Sequence, residues 1–110
     1  MGTRIYLGEL EELVLLLVAL LENEAYAVSI MEELKKQAGR EISLSAVHAV
    51  LHRLEEKGFV RSRMGGASDE RGGRRKRMFS ITAYGREVLE EQRNLRNLIW
   101  NQIGKISLSR

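Results

Sequence analysis

Arginine and lysine carry most of the chemistry in this chain. Between Arg61 and Arg77 stand seven basic residues and two acidic ones, a local net charge of +5. The whole 110-residue chain carries +3, so the remainder is at −2. The cations are Arg61, Arg63, Arg71 and the unbroken run Arg74-Arg75-Lys76-Arg77. Guanidinium and ammonium groups at that density bind phosphate, and the local field rather than the total charge steers a polyanion toward them. A second group lies just upstream: Ser43, Ser45, Ala46, His48, Ala49, His52 and Arg53. Small residues let a backbone come close to a nucleic-acid groove, and serine, histidine and arginine reach base edges. His48 and His52 are also four apart, a spacing that suits a metal pair on one helix face. The chain has no cysteine and no third histidine, so no metal site and no cofactor are expected.

The elements that must position these residues follow from the apolar pattern. Residues 9–22 read as a helix that is apolar nearly all round, from Leu10 through Leu13 and Leu17 to Leu21. Such a helix is buried on several sides. A second helix, about residues 26–38, has Tyr26, Ile30, Met31, Leu34 and Ala38 at helical spacing and stops at Gly39. Arg40-Glu41-Ile42 reads as a very short strand. Ser43 is a good N-cap for a third helix over about 44–57, whose core stripe is Val47, Val50, Leu51 and Leu54 and whose stop is Gly58.

Two strand-like runs come next, Phe59 to Met64 and Arg74 to Thr82, around a loop opened by Gly65-Gly66 and closed by Gly72-Gly73. No Gly-Lys-Ser/Thr follows these glycines, so they are turn residues and not a nucleotide loop. A long final helix starts near Ala83, with Val88, Leu95, Leu98, Ile99, Ile103 and Ile106 as an intermittent seam and Trp100, the only tryptophan, beside it. The fold class expected is mainly α with a small β-hairpin. Three helices followed by a hairpin form a winged helix-turn-helix, here with a long C-terminal helix.

The third helix then faces the major groove, and the hairpin is the wing. The division expected is a winged-helix DNA-binding domain over 1–82 and a dimerisation helix over 83–110. The longest apolar run, Leu13 to Leu21, is too short for a bilayer and its flank is acidic, which argues against membrane or export and for the cytoplasm. No nucleophile constellation, acid–base pair or cofactor loop points to an enzyme.

Several residues together resemble the PadR-like transcriptional regulators: Tyr6-Leu7 ahead of Leu10-Glu11, Ala25-Tyr26-Ala27 with Ile30, Ile42-Ser43, and Val47 with Leu51. Leu54-Glu55 with Gly58-Phe59-Val60, Gly73-Arg74-Arg75-Lys76, and Thr82 with Gly85 continue the pattern. The resemblance covers roughly residues 5–90. His48 stands where the family often has Tyr, Met78 where it often has a second aromatic, and Ala27 where it often has Gly. The short tail resembles the small subfamily, in which one C-terminal helix makes the dimer.

The resemblance implies a dimeric repressor on an inverted-repeat operator in double-stranded DNA, relieved by a small effector. Residue types and the winged-helix order place DNA contact at Ser43, Ser45, Ala46, His48, Ala49, His52, Arg53, Arg71, Arg74, Arg75, Lys76 and Arg77. A homodimer is expected to join through Leu10, Leu13, Leu17, Val88, Leu95, Leu98, Ile99 and Ile103. Trp100 is left between packing and stacking on a flat, aromatic effector. The alternative is a winged-helix interaction module whose basic wing meets an acidic protein.

Overall fold

The structure, a computed structural model, describes residues 7–65 and 76–108, with side chains as far as Gly104. Four helices and one hairpin appear in the expected order: α1 (Glu9–Leu21), a single 3-10 turn (Glu22–Glu24), α2 (Ala27–Ala38), α3 (Leu44–Glu56), β1 (Val60–Met64), β2 (Arg77–Ile81) and α4 (Ala83–Leu108).

Each boundary has a local cause. At the start of α1, the Gly8 N–H donates to the Glu11 carboxylate at 3.1 Å. At α2, the Tyr26 N–H donates to Ser29 Oγ at 3.0 Å. At α3, Ser43 Oγ accepts from the Ala46 N–H at 3.2 Å, which removes one orphan donor of the first turn. The end of α3 is fixed by Gly58 at φ +84°, a backbone state that a side chain disfavours. The Phe59 N–H then reaches back to the Leu54 carbonyl at 2.9 Å.

The core is one cluster to which all four helices and both strands contribute. Val14, Leu15 and Val18 of α1 meet Ile30 and Leu34 of α2 and the α3 stripe Val47, Val50, Leu51 and Leu54. Phe59, Val60, Phe79 and Val88 close it from the hairpin and α4. The periodicity of α3 thus points its stripe inward and leaves its other face to solvent.

The hairpin is antiparallel, with Val60 opposite Ile81, Ser62 opposite Phe79 and Met64 opposite Arg77. Its second edge is closed by Ala25, whose carbonyl accepts from the Phe79 N–H at 2.8 Å. The strand expected at Arg40-Glu41-Ile42 does not form. Ala25 already occupies the edge of β2. Arg40 instead bridges to Glu9 at 3.2 Å, and Ile42 packs on the core.

Thr82 joins the end of α3, the wing and α4. Its hydroxyl donates to the Gly58 carbonyl at 2.7 Å and accepts from the Gly85 N–H at 3.0 Å, capping α4. Gly85 lies so close to the Phe59 carbonyl that an added Cβ would collide with it. The first turns of α4 are thereby seated on the winged helix.

Candidate nucleic-acid interface

The exposed face of α3 holds the residues singled out by type. Ser43, Ser45, His48, Ala49, His52 and Arg53 are exposed, and Ala46 is half-buried. Their small size leaves the first turn of α3 open to approach by a large ligand. Of the two histidines, His52 has its Nε2 3.2 Å from Glu56 one turn on. No group of three or more potential metal ligands occurs among the described residues.

Arg53 differs from its neighbours. Its Nε donates to Glu11 of α1 at 3.1 Å, and the same carboxylate accepts from Lys57 Nζ at 3.1 Å. Burial pushes the Glu11 carboxyl up. The hydrogen bonds from Gly8, Lys57 and Arg53 outweigh that and hold it below the usual glutamate range.

The wing presents two sets of cations on opposite faces, as alternation along a strand requires. Arg77 lies in register with Met64, on the face shared by Val60, Phe79 and Ile81. Its guanidinium donates to Ser62 Oγ at 3.1 Å, and Ser62 donates in turn to Glu55 at 2.7 Å. That chain links the wing to the last turn of α3. Arg61 and Arg63 lie on the other face and are exposed. Lys76 precedes β2, with its ammonium 4.2 Å from the centre of the Tyr26 ring, a cation–π contact. Arg71, Arg74 and Arg75 lie outside the described residues.

Arg61 and Arg63 stand outside the DNA-contact set expected from the sequence, yet the hairpin places both, exposed, on one face of the wing, as their i, i+2 spacing in a strand allows.

On the far side of α1 the residues expected to mediate self-association separate into two groups. Leu17 and Val88 belong to the chain's own core, and Leu10 and Leu13 pack partly against it. Leu95, Leu98, Ile99 and Ile103 are exposed along α4, with Leu98 at 58%. Leu16 and Leu20 of α1 are exposed as well, Leu20 at 59%. Trp100 is 66% exposed and has no place in the core. It borders an open cavity of about 460 Å³ between α1, the end of β2 and α4, with Leu16, Leu89, Arg93 and Arg96 among its walls.

A three-helix core with a cationic hairpin and an open-faced third helix defines a winged helix-turn-helix protein. Among these the chain belongs to the Transcriptional regulator PadR-like family, whose sequence pattern matches residues 15–91. It is a PadR-like transcriptional regulator and not an enzyme.

Solved structures share the fold. A PadR-like transcription factor from Bacteroides fragilis is similar at 22% identity and a TM-score of 0.72, with 88% of each chain covered. A PadR family transcription regulator from Clostridium difficile R20291 is similar at 19% identity and a TM-score of 0.73, over 90% of this chain and 98% of that one. Bacillus subtilis PadR, solved in complex with operator DNA, is similar at 21% identity and a TM-score of 0.65, over 76% of this chain and 46% of its own. No curated protein sequence matches the chain. Among the described residues no helix is long and apolar enough to cross a membrane.

Proposed function

We propose that this regulator is a homodimeric repressor acting in the cytoplasm on an inverted-repeat operator. The observation that carries the reading is the division of α3: one face is wholly buried, and the other offers Ser45, His48, Ala49 and His52 beside a cationic wing. Residues 44–54 read base edges in the major groove, with the N-terminal turn of α3 against the backbone. Arg61, Arg63, Lys76, Arg77 and the run Arg74-Arg75 supply phosphate contacts, which set register and affinity but carry no sequence information. Residues 1–82 form the reading head and residues 83–110 the dimerisation helix. Only the exposed part of the α4 seam, from Leu95 to Ile103, is assigned to the partner copy, together with Leu16 and Leu20.

The cavity beside Trp100 supports an effector site. An exposed indole next to Leu16 and Leu89 suits a flat aromatic molecule. An occupant there changes the packing of α4 and with it the spacing of two reading heads, which lowers operator affinity. Bacillus subtilis PadR, a protein of the same fold, is known bound to operator DNA. Selection of duplexes from a randomised pool tests the DNA reading. Enriched sequences should carry two symmetry-related half-sites about one helical turn apart. Enrichment of single, asymmetric sites would count against the dimer, and no enrichment would count against sequence reading altogether.

A further inference from the structure

Glu11 is the only buried charged side chain among the described residues, 9% exposed. A carboxylate in that position is costly unless its lone pairs are met. Here they are met by the Gly8 N–H, by Arg53 Nε and by Lys57 Nζ, each at 3.1 Å. Arg53 and Lys57 are four residues apart, one in the last turn of α3 and the other its C-cap, so both emerge on one side of the helix. The next residue of α1 does the corresponding thing on another flank. Glu12 accepts from Arg96 of α4 at 3.1 Å. Successive residues of a helix point about 100° apart, so one turn of α1 fastens α3 on one side and α4 on the other.

We propose that Glu11 is a positioning residue for DNA reading: through Arg53 and Lys57 it sets the angle at which α3 packs across α1. The proposal rests on α3 being the helix that reads DNA. It gives Arg53 a role as a tether in place of the DNA contact expected from the sequence, and Lys57 the same role. The α3 stripe of Val47, Val50, Leu51 and Leu54 fixes the depth of the helix in the core. Apolar contacts are non-directional, whereas a carboxylate held from three directions specifies an orientation. Because Glu12 joins the same stretch of α1 to α4, a shift of α4 reaches α3 through this turn.

Electrostatics alone predicts the opposite outcome on mutation, which makes the proposal testable. Glu11→Gln removes a negative charge and releases two cations on the DNA-facing helix. If charge were all that mattered, every duplex would bind more tightly. If Glu11 positions α3, binding to random duplex rises while binding to the selected duplex falls. The preference for the selected duplex should then drop by about tenfold, comparable to one mismatched base pair.

Lys57→Gln changes charge the other way and leaves the Arg53–Glu11 contact in place. It should also lower the preference, with random binding weakened. Fluorescence anisotropy on the full chain, unmutated and in both variants, with both duplexes at one salt concentration reads all six affinities. A preference that is unchanged in both variants, or that follows net charge in opposite directions, overturns the proposal. Absence of any preference in the unmutated protein would overturn the reading of α3 itself and is seen before either variant is made. A melt of each variant by circular dichroism separates lost folding from lost preference, since unfolded protein lowers both affinities together.

Discussion

The helices α3 and α4 are both amphipathic, yet they leave opposite chemistry uncovered. On α3 the apolar stripe is buried to the last residue, and the open face is serine, alanine and histidine. On α4 only the first turns, through Gly85 and Val88, are seated in the core, and from Leu95 onward the apolar seam faces solvent. Exposed apolar area is stabilised by about 25 cal/mol per Å² when it finds another apolar surface. A polar face flanked by cations finds its complement in a polyanion. On the proposed function, α3 completes a reading head within a single chain, and α4 is half of a scaffold that a second copy would complete.

The sharpest way to break this comparison is to charge the seam. Leu98→Glu with Ile99→Glu should abolish self-association, because an uncompensated charge in an apolar interface costs several kcal/mol. Sedimentation should then give the mass of one chain. Operator affinity should fall by about 100-fold or more, since two linked heads gain that much over one. Both residues are exposed, so the circular dichroism of each chain should stay the same. A dimer that survives both changes would mean that α4 does not join the copies.

The wing should respond differently. Arg61→Ala with Arg63→Ala should weaken selected and random duplexes alike and flatten the log–log salt dependence by about one unit per lost phosphate contact. Arg74→Ala with Arg75→Ala should act in the same way. An unchanged slope would remove that pair from the interface. A smaller and more local effect is expected at His48. Its replacement by Ala should alter preference at one base-pair position by about 1–3 kcal/mol and leave random binding nearly intact. Equal losses on both duplexes would make it a backbone contact.

Much of α3 could be read from the sequence, and much of α1 could not. The spacing of Val47, Val50, Leu51 and Leu54 marks one face unambiguously, because polar residues fill the other. In α1 leucine and valine occupy nearly every position from Leu13 to Leu21, and no polar face says which of them point outward. Hence Leu17 is core, while Leu16 and Leu20 are bare. The partner of Arg53 was hidden for a different reason: Glu11 lies 42 residues away, and only the packing of α3 on α1 brings them together. The same holds for Ala25, a residue with no strand signature that pairs with β2 because the turn after α1 delivers its carbonyl there. Patterns within an element were legible, and the choices made between elements were not.

The smallest expected effect concerns the junction between the two regions. The Glu11 carboxyl is held below its ordinary range, so its stabilising contribution is complete above that range and is lost as the pH falls through the lowered value. Urea unfolding followed from neutral pH downward should show a steeper loss in the unmutated protein than in Glu11→Gln. Parallel curves would mean that the three donors contribute nothing net.

The central claim is that two α3 helices, held apart by α4, read successive major grooves on one side of a duplex. Insertion of about five base pairs between the half-sites of a selected operator turns them to opposite sides of the DNA. The account predicts that affinity then falls toward the level of random duplex, because the spacing set by α4 matches one separation of the half-sites. Equal affinity for the unaltered and the five-base-pair duplex would contradict it.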